Sequence, residues 1–294
     1  MDKMSLDGNI KFTTGYRDIS ESCKTLDLLT SGADPKIWLY VMGKKCLFKY
    51  DERKHLTEYV GSKFYKYLGL PVQDVELVVL NGVKGCLCYD IAESKELRAL
   101  KSAHDSSFLV HLSEIGYTFD DIRELLGTSV KADAEFMSDM SDLFDKVFCV
   151  DAILANRDRH AGNWGYLVGD DDAREVAPVF DNGACLFPNF DRSLTIDKSM
   201  LYKLVVEHPK SQVQYTNKKK NNFLTVMDKV RGRLDLSWLS MDKVFTAICN
   251  ATSALDEQDA RFFITVVMAR YLAIIEGVPF EDVWKIYSSG GLRA

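Results

Sequence analysis

The spacing of apolar residues divides the first ninety positions into strands and one helix. Between two predicted hairpins, apolar residues recur at helical spacing over 56–70, and Gly69 is a typical residue to end that helix. Gly43-Lys44-Lys45 is predicted to be the turn of the first hairpin and Asn81-Gly82 that of the second. The four predicted strands are 37–42, 46–50, 75–80 and 83–91.

After about residue 92 the apolar spacing becomes helical. Two short strands are expected near 165–168 and 176–180, with 169–175 as the turn between them. The pattern predicts an α+β fold of two lobes: a small β-rich N-lobe over 1–92 and a larger α-helical C-lobe over 93–294. The predicted helices are 93–104, 107–115, 119–126, 133–155, 219–230, 241–251, 257–276 and a last short one after 280.

Composition narrows the class of protein. The chain has 294 residues, of which 47% are hydrophobic, and a net charge of −6, which argues against nucleic-acid binding by the whole surface. No apolar run is long enough to span a membrane, and the N-terminus has no signal-peptide core. The 7 cysteines include no CxxC pair, and we interpret them as reduced thiols of a cytoplasmic protein.

Polar residues are concentrated in the stretch 154–167, LANRDRHAGNWGYL, between a helical and a strand-like apolar run. Asp158 follows an arginine and is separated from Asn163 by four residues, and Asp181 of FDNG lies 18 residues further along. Protein kinases have the same order: Arg-Asp, four residues, Asn, and later an Asp-x-Gly. Phosphoryl transfer needs a carboxylate near the incoming hydroxyl and oxygen ligands for Mg²⁺, and these three residues meet both needs.

In this interpretation Asp158 is the catalytic carboxylate, Asn163 and Asp181 bind Mg²⁺, and Gly183 lets the backbone turn close to the metal. Each residue also has a simpler explanation. Asp158 could cap a helix or pair with a neighbouring arginine, Asn163 could be a turn residue, and Asp181-Asn182-Gly183 could be an ordinary β-turn. The order and spacing of the whole set favour the catalytic interpretation.

Upstream, the same signature requires a lysine on a strand and a glutamate on the next helix. Lys49 and Glu58 fit these positions, with Lys49 contacting the α- and β-phosphates of ATP and Glu58 holding it in place. The alternatives are a solvated Lys49, a solvated Glu58, or Glu52 as the lysine's partner. His160 is predicted to be a structural donor that fixes its loop.

The hinge between the lobes is placed at Cys88, Tyr89 and Asp90, whose backbone groups would hold the adenine edge. The sequence also departs from eukaryotic-type kinases: it has no GxGxxG, has Asn156 in place of the catalytic-loop histidine, and has no APE after DNG.

The sequence resembles the HipA-like serine/threonine kinases of bacteria. The segments that carry the resemblance are TSGADPK, LFK with TEYVGSKFYKYLGLPV, CLCYDI, NRDRHAGNWGYL and APVFDNG, which span roughly residues 30–187.

The resemblance implies an enzyme that uses ATP and Mg²⁺. TSGADPK would be its phosphate loop, with Ser31 and Gly32 at the ATP phosphates, and autophosphorylation would fall on Ser31 or Thr30. Several such kinases are toxins that phosphorylate a translation-related protein, so a protein substrate is expected. Full-length members carry about a hundred further residues before the loop, whereas about thirty precede it here. The missing part is then either a separate polypeptide or absent. The partners to consider are an antitoxin or a separate N-subdomain protein, with no membrane and no direct nucleic-acid contact expected.

Three functions remain open from the sequence. The first is a protein kinase, the second a small-molecule phosphotransferase of the antibiotic- or lipid-kinase kind, and the third a pseudokinase that only binds. Label transferred from ATP to a protein band would favour the first, and ATP binding without turnover the third.

Overall fold

The computed structural model contains a six-stranded sheet built from the N-terminal part of the chain. Its strands are β1 (Arg17–Asp18), β2 (Cys23–Thr25), β3 (Lys36–Val41), β4 (Lys44–Lys49), β5 (Val75–Leu80) and β6 (Val83–Tyr89). They lie in the order β1-β5-β6-β4-β3-β2, and β1 pairs with β5 in parallel while all other neighbours are antiparallel. The structure describes residues 15–30, 34–99, 117–118, 134–208, 210–211, 213–214 and 221–292.

Two tight turns set the register of this sheet. Asn81 and Gly82 both have positive φ, 50° and 81°, as a two-residue type I′ hairpin turn requires. In the first hairpin the residues with positive φ are Met42 and Gly43, at 48° and 83°. The turn predicted at Gly43-Lys44-Lys45 is therefore wrong by one to two residues, and β4 begins at Lys44.

Helix α1 (Lys54–Tyr67) packs on one face of the sheet. Asp51 caps its start, because Oδ1 accepts hydrogen bonds from the backbone N of Arg53 and of Lys54 at 2.9 and 3.0 Å. Successive side chains of β6 point to opposite faces of the sheet, as in any β-strand. Cys86 and Cys88 belong to the core on the α1 side, and Leu87 belongs to the cluster on the other side. This arrangement places the C-terminal end of β4 beside the first turns of α1.

The second part of the chain is mainly helical. Its helices are α2 (Ala134–Leu154), α3 (Lys198–Tyr202), α4 (Phe223–Val230), α5 (Met241–Thr252), α6 (Glu257–Arg270) and α7 (Phe280–Ser288). Its strands are β7 (Glu96–Ala99), β8 (Tyr117–Thr118), β9 (Gly165–Val168), β10 (Arg174–Val176) and β11 (Val213–Gln214). Strands β10, β9 and β7 form an antiparallel sheet in that order, and β8 pairs with β11 in parallel.

Several sequence predictions for this part need correction. The helix predicted at 93–104 is wrong, because Glu96–Ala99 pairs with β9 as a strand. The strand predicted at 176–180 ends at Val176 of β10, and Val179 makes only an isolated bridge to Val72. The helices predicted at 107–115 and 119–126 lie outside the described residues.

One large hydrophobic core joins α1 and the adjoining face of the first sheet to the C-terminal helices. Phe64 of α1, Phe144 of α2 and Phe263 of α6 all belong to it and are fully buried. A smaller cluster, which includes Leu39 and Phe48, fills the other side of the sheet. Helix α1, which was assigned to the N-lobe, thus shares its core with the C-terminal helices. The lobe boundary placed at residue 92 stays a prediction.

Buried Arg270 connects the ends of two helical segments. Its guanidinium donates hydrogen bonds to the carbonyl of Ala152 at 2.6 Å, that of Ile153 at 3.0 Å and that of Leu204 at 2.6 Å. Ala152 and Ile153 lie in the last turn of α2, where carbonyls have no partner within the helix. Arg270 thus holds the C-terminal end of α2 in place, and the polar stretch that contains Asp158 starts from that end.

The seven cysteines are all free thiols. None of the helices in the described ranges is long and apolar enough to cross a membrane.

Candidate active site

Lys49, the last residue of β4, contacts two carboxylates. Its Nζ lies 2.7 Å from Oε2 of Glu58 and 2.9 Å from Oδ1 of Asp181. Burial acts to lower the pKa of Lys49, but the carboxylates of Glu58 and Asp181 act in the other direction and the pKa lies well above its ordinary value. The lysine is therefore a fixed positive charge where β4, α1 and the segment Asp181-Asn182-Gly183 meet. We call that segment the DNG loop.

Glu58 is the partner of Lys49, and Glu52 is exposed ahead of α1. The Glu58 side chain is only 1% exposed, and its second oxygen, Oε1, accepts a hydrogen bond from the backbone N of Asn182 at 2.8 Å. Both oxygens of this buried carboxylate thus have a partner: Oε2 contacts Lys49 of β4, and Oε1 contacts the backbone of Asn182. A glutamate one turn into α1 can do this because that helix face points at the end of β4.

Asp181 has a positive φ of 58°, which is an uncommon backbone conformation for a residue other than glycine. Desolvation raises the pKa of Asp181, but the cations Lys49, Arg159 and Lys36 together lower it, so the pKa of the carboxyl lies below its usual value. Such a backbone at a charged residue is found where the surrounding structure determines the conformation.

The residues after Asp181 are packed against α1. Asn182 is fully buried, and its Nδ2 donates to Oγ of Ser62 at 3.0 Å. The carbonyl of Gly183 accepts a hydrogen bond from Oγ1 of Thr57 at 2.7 Å. A Cβ on Gly183 would lie 3.1 Å from Oε2 of Glu58, so glycine is what allows this close approach. These contacts make α1 the support on which the DNG loop is shaped.

The stretch that contains Asp158 begins with a reversal of the chain at Ala155, whose φ is 56°. Asn156 is buried and accepts a hydrogen bond from the backbone N of Asp158 at Oδ1, at 3.1 Å. Asp158 itself is exposed, and its carbonyl accepts a hydrogen bond from Nδ2 of Asn163 at 2.9 Å. Asn163 is 7% exposed and ends a 3₁₀ turn. Its amide nitrogen is used by the loop, which leaves Oδ1 as its potential metal ligand.

Arg159 joins this loop to the DNG loop and is itself buried. NH1 donates to the carbonyl of Phe180 at 2.6 Å, and NH2 donates to Oδ1 of Asn182 at 2.6 Å. On its other side the guanidinium pairs with Asp151 of α2, Nε to Oδ2 at 2.9 Å. Burial acts to lower the pKa of Arg159, but Asp151, Tyr65 and Asp181 together raise it above its ordinary value, so the side chain stays charged. One side chain thus holds the two loops together.

His160 does not act as the predicted donor. Its ring is exposed, and Nδ1 accepts a hydrogen bond from the backbone N of Gly162 at 3.0 Å. His160 caps the 3₁₀ turn instead. Its role in the loop is structural, as predicted, but it accepts a hydrogen bond where it was predicted to donate one.

The donor chemistry fits magnesium at Asn163 and Asp181. Mg²⁺ prefers oxygen ligands and commonly takes only one or two of them from protein, keeping water and phosphate oxygens for the rest. Oδ1 of Asn163 and Oδ2 of Asp181 are oxygens of this kind. Within the described ranges, no group of three or more His, Cys, Asp and Glu could hold a metal ion.

The hinge placed at Cys88, Tyr89 and Asp90 stays a prediction. Tyr89 uses its backbone N on the carbonyl of Asp74 at 3.0 Å, and its own carbonyl accepts from Nε2 of Gln73 at 2.8 Å. Asp90 donates its backbone N to the carbonyl of Lys45 at 3.0 Å. Cys88 is buried inside β6. These bonds use the backbone N of Tyr89 and of Asp90 and the carbonyl of Tyr89 within the fold.

Ser31 and Gly32, predicted to contact the ATP phosphates, lie outside the described residues. The chain on the C-terminal side of that loop is anchored near the site. Asp34 pairs with Nζ of Lys54 in the first turn of α1 at 2.5 Å, and the carbonyl of Pro35 accepts from the backbone N of Tyr50 at 3.2 Å.

The sequence analysis missed the buried supports of the site, above all Asp151 and Asn182. Asp151 accepts hydrogen bonds from Tyr65 at 2.7 Å and from Asn156 at 3.1 Å in addition to its pair with Arg159. A signal for it existed: an ionisable residue inside the apolar run FCVDAIL must be paired if it is buried.

Comparison of the sequence with known proteins finds one matching family and a kinase relative. A sequence model of the HipA-like C-terminal domain matches residues 28–269. The serine/threonine-protein kinase CtkA of Helicobacter pylori (strain J99) is 26% identical over 240 residues, which cover 75% of this chain and 70% of that protein.

Two solved structures share the fold. The Helicobacter pylori proinflammatory kinase CtkA matches with a TM-score of 0.71 and 23% identity, over 89% of this chain and 96% of that one. HipA of Shewanella oneidensis MR-1, solved with HipB and operator DNA, matches with a TM-score of 0.55 and 14% identity, over 88% of this chain and 67% of that one. The predicted kinase-like α+β fold class is thereby confirmed.

Proposed function

The chain belongs to the family of HipA-like C-terminal domains, and from that premise we propose that it is a serine/threonine protein kinase that uses ATP and Mg²⁺. The observation that carries the proposal is the ion pair of Lys49 with Glu58, with Asp181 at the same ammonium. Protein kinases need a strand lysine paired with a helix glutamate and a nearby metal-binding aspartate before they can transfer phosphate. The relative CtkA is named a serine/threonine-protein kinase, which agrees with this proposal.

The proposed roles follow from position. Lys49 binds the α- and β-phosphates of ATP, and Glu58 keeps the ammonium directed at them. Asn163 and Asp181 hold Mg²⁺, which supplies charge neutralisation at the phosphate oxygens. In the structure Oδ1 of Asp181 is bound by Lys49. When a nucleotide binds, the Lys49 ammonium therefore has to exchange its contact with Asp181 for one with the phosphates. Its contact with Glu58 is kept.

Asp158 is proposed to receive the proton of the acceptor hydroxyl. The new bond forms between the hydroxyl oxygen and the γ-phosphorus, and the bond from the γ-phosphorus to the oxygen of ADP breaks. The exposure of Asp158 supports this role, because an acceptor side chain has to reach its carboxylate from outside. Arg159, the next residue, is held on four sides and keeps the loop in place without meeting the reactants.

Transfer of label from γ-labelled ATP tests the function directly. The wild-type protein with Mg²⁺ is expected to label a serine or threonine, in itself or in an added protein. Asp158→Asn and Asp181→Asn keep the shape of the side chain and remove its charge, and each should lower the rate by about a hundredfold or more. Asp170→Asn, in the exposed turn between β9 and β10, is the matched control and should keep the full rate.

The position of the label separates the alternatives. Label on small molecules alone would favour a small-molecule phosphotransferase, and ATP binding with no transfer would favour a pseudokinase. Wild-type turnover in Asp158→Asn would contradict the proposed role of that residue.

A protein partner is a second part of the proposal. It rests on the Shewanella relative, whose structure contains HipB and operator DNA. Co-expression with the product of the adjacent reading frame, followed by size-exclusion chromatography, tests it. A stable complex is expected, and a chain that elutes alone under these conditions would remove the support.

A further inference from the structure

A cavity of about 760 Å³ opens next to both motif loops. Its wall includes Ala155 and Arg157 from the Asp158 loop, and Ala184, which follows the DNG sequence. The remaining wall comes from the segment 187–190, from α3 and the turn after it, and from His208 and Lys210. A molecule that fills the cavity therefore contacts Arg157, the residue that precedes Asp158 in the chain. We call this cavity the post-DNG groove.

The floor of the post-DNG groove is apolar and held in place. Phe190 stacks on Phe262 of α6, with ring centroids 5.0 Å apart, and its backbone N bonds to the carbonyl of Phe187 at 2.9 Å. Leu186 and Phe187 both have positive φ, 52° and 56°. Successive non-glycine residues in this conformation cost energy and are found where structure is fixed for a purpose. The floor is thus formed in advance of any ligand.

The charges at the groove oppose those of the whole molecule. The chain carries a net charge of −6, yet the groove is lined by the cations Arg157, Lys203 and Lys210 and by one carboxylate, Asp197. That carboxylate is partly used, because it accepts the backbone N of Met200 as the cap of α3 at 2.8 Å. A cationic cavity on an acidic molecule attracts an anionic ligand and disfavours a cationic one.

We propose that the post-DNG groove binds the substrate segment that flanks the phosphorylated serine or threonine, and that this segment is an extended peptide with acidic and apolar side chains. The inference rests on the proposed kinase function, since it is the contact of the groove with the chain on either side of the two motifs, at Arg157 and Ala184, that makes its occupant a substrate. The apolar side chains would lie on Phe187, Phe190 and Met200. The acidic ones would pair with Lys203 and Lys210.

An array of serine-centred peptides tests the inference in two separate assays. The peptides vary one neighbouring position at a time between acidic, basic, apolar and polar residues. The first assay measures binding of the labelled protein without ATP, and the second measures phosphorylation with ATP and Mg²⁺. Peptides with acidic and apolar neighbours are expected to lead in both.

Two charge reversals make the test specific. Lys203→Glu, at the groove, should weaken binding of acidic peptides by about tenfold or more and shift the preference to basic ones. Lys285→Glu makes the same change of charge on α7, at a side chain that is 74% exposed, and should leave the preference as it is. Both variants should retain the wild-type affinity for ATP and the wild-type melting temperature, because Lys203 is exposed too.

The two assays separate the failure of this inference from the failure of the proposed function. If peptides are phosphorylated without preference, or the preference survives Lys203→Glu, the inference is overturned and the kinase function stands. If the binding preference and its reversal are found but no phosphate is transferred, the groove stands as a peptide site and the kinase function fails.

Discussion

The guanidinium of Arg159 and the carboxylate of Asp151 form a two-pronged ion pair, with Nε 2.9 Å from Oδ2 and NH2 3.2 Å from Oδ1. Both side chains are almost completely buried, at 3% and 4% exposure. Because Arg159 also binds the carbonyl of Phe180, the pair fixes the Asp158 loop, the DNG loop and α2 to one another. A buried charge pair of this geometry is costly to break.

Arg159→Lys tests this connection. Lysine keeps the charge but has no planar fork, so it cannot bind Asp151, Phe180 and Asn182 together. We expect the free energy of unfolding to fall by about 3 kcal/mol, measured by urea denaturation, and phosphoryl transfer to fall with it. Arg157→Lys is the matched control at an exposed neighbour, and its stability should change by less than about 0.5 kcal/mol. Equal stability of Arg159→Lys and the control would contradict the connecting role.

Strongly patterned elements were predictable from the sequence, and weakly patterned ones were not. The strand predicted at 75–80 agrees with β5, and the helix predicted at 133–155 agrees with α2 to within one residue at each end. Their apolar residues repeat at the period of the element, which reflects burial. Glu96–Ala99 was predicted as part of a helix over 93–104 because the apolar spacing becomes helical after about residue 92, yet its pairing with β9 determines its conformation. No local signal contains that pairing.

The site shows the same division. Lys49, Asp158, Asn163 and Asp181 could be selected because their order and spacing match the protein-kinase signature. Glu58 could be separated from Glu52 only by the three-dimensional placement of α1 on the end of β4. Asn182 was given no role of its own and entered only the alternative of an ordinary β-turn, because nothing in DNG shows that its side chain will be buried against Ser62. Contacts between distant segments are what the sequence does not display.

Replacement of Lys49 by methionine separates its pairing with Glu58 from its proposed binding of ATP. Lys49→Met should weaken ATP binding by about 1.5–3 kcal/mol, since a charge-assisted contact to phosphate is lost. It should also lower the stability of the free protein, because Glu58 is left as a buried carboxylate without its cation. Isothermal titration with ATP and urea denaturation measure the two effects.

The double variant Lys49→Met with Glu58→Gln is the control for that experiment. Glutamine removes the uncompensated charge, although its Oε1 can still accept the hydrogen bond from Asn182. Stability should therefore return to near the wild-type value while ATP binding stays weak. If stability does not recover, the loss in Lys49→Met has a cause other than the charge of Glu58.

His55 gives the stability a predictable dependence on pH. It is buried in the first turn of α1, where Nε2 lies 2.7 Å from the hydroxyl of Tyr16 and Nδ1 lies 2.9 Å from the carbonyl of Asp51. Burial raises the pKa of Tyr16 to about 12, so its hydroxyl stays protonated and donates to the imidazole. Burial lowers the pKa of His55 below its ordinary value of 6.5.

The unfolded chain therefore takes up a proton near pH 6.5 that the folded chain does not take up until lower pH. Stability should be complete above this value and should fall as the pH drops below it, by at most about 1.4 kcal/mol per pH unit, down to the folded pKa. His55→Gln cannot titrate, so the difference in unfolding free energy between pH 8 and pH 5.5 should be smaller than in the wild type. His208→Gln, at an exposed histidine, should behave as wild type, and an identical pH dependence in His55→Gln would refute the assignment.

Gly61 of α1 provides a test in which two physical effects oppose each other. Alanine is the better helix former by about 1 kcal/mol, so helix propensity alone predicts that Gly61→Ala stabilises the protein. However, a Cβ at this position would lie 2.8 Å from Cβ of Asn182 and 2.9 Å from Sγ of Cys185. The helix and the DNG loop would have to separate, and overpacking of this kind costs about 1–3 kcal/mol.

We expect the steric effect to exceed the gain in propensity, so Gly61→Ala should be destabilised by up to about 2 kcal/mol. The rate of phosphoryl transfer should fall as well, because the displaced loop carries Asp181 and the backbone N of Asn182 that binds Glu58. Gly232→Ala is the matched control, since a Cβ there meets no atom within 4 Å and its stability should be unchanged or slightly higher. A Gly61→Ala protein as stable and active as this control would show that α1 and the DNG loop are not in the contact on which the site depends.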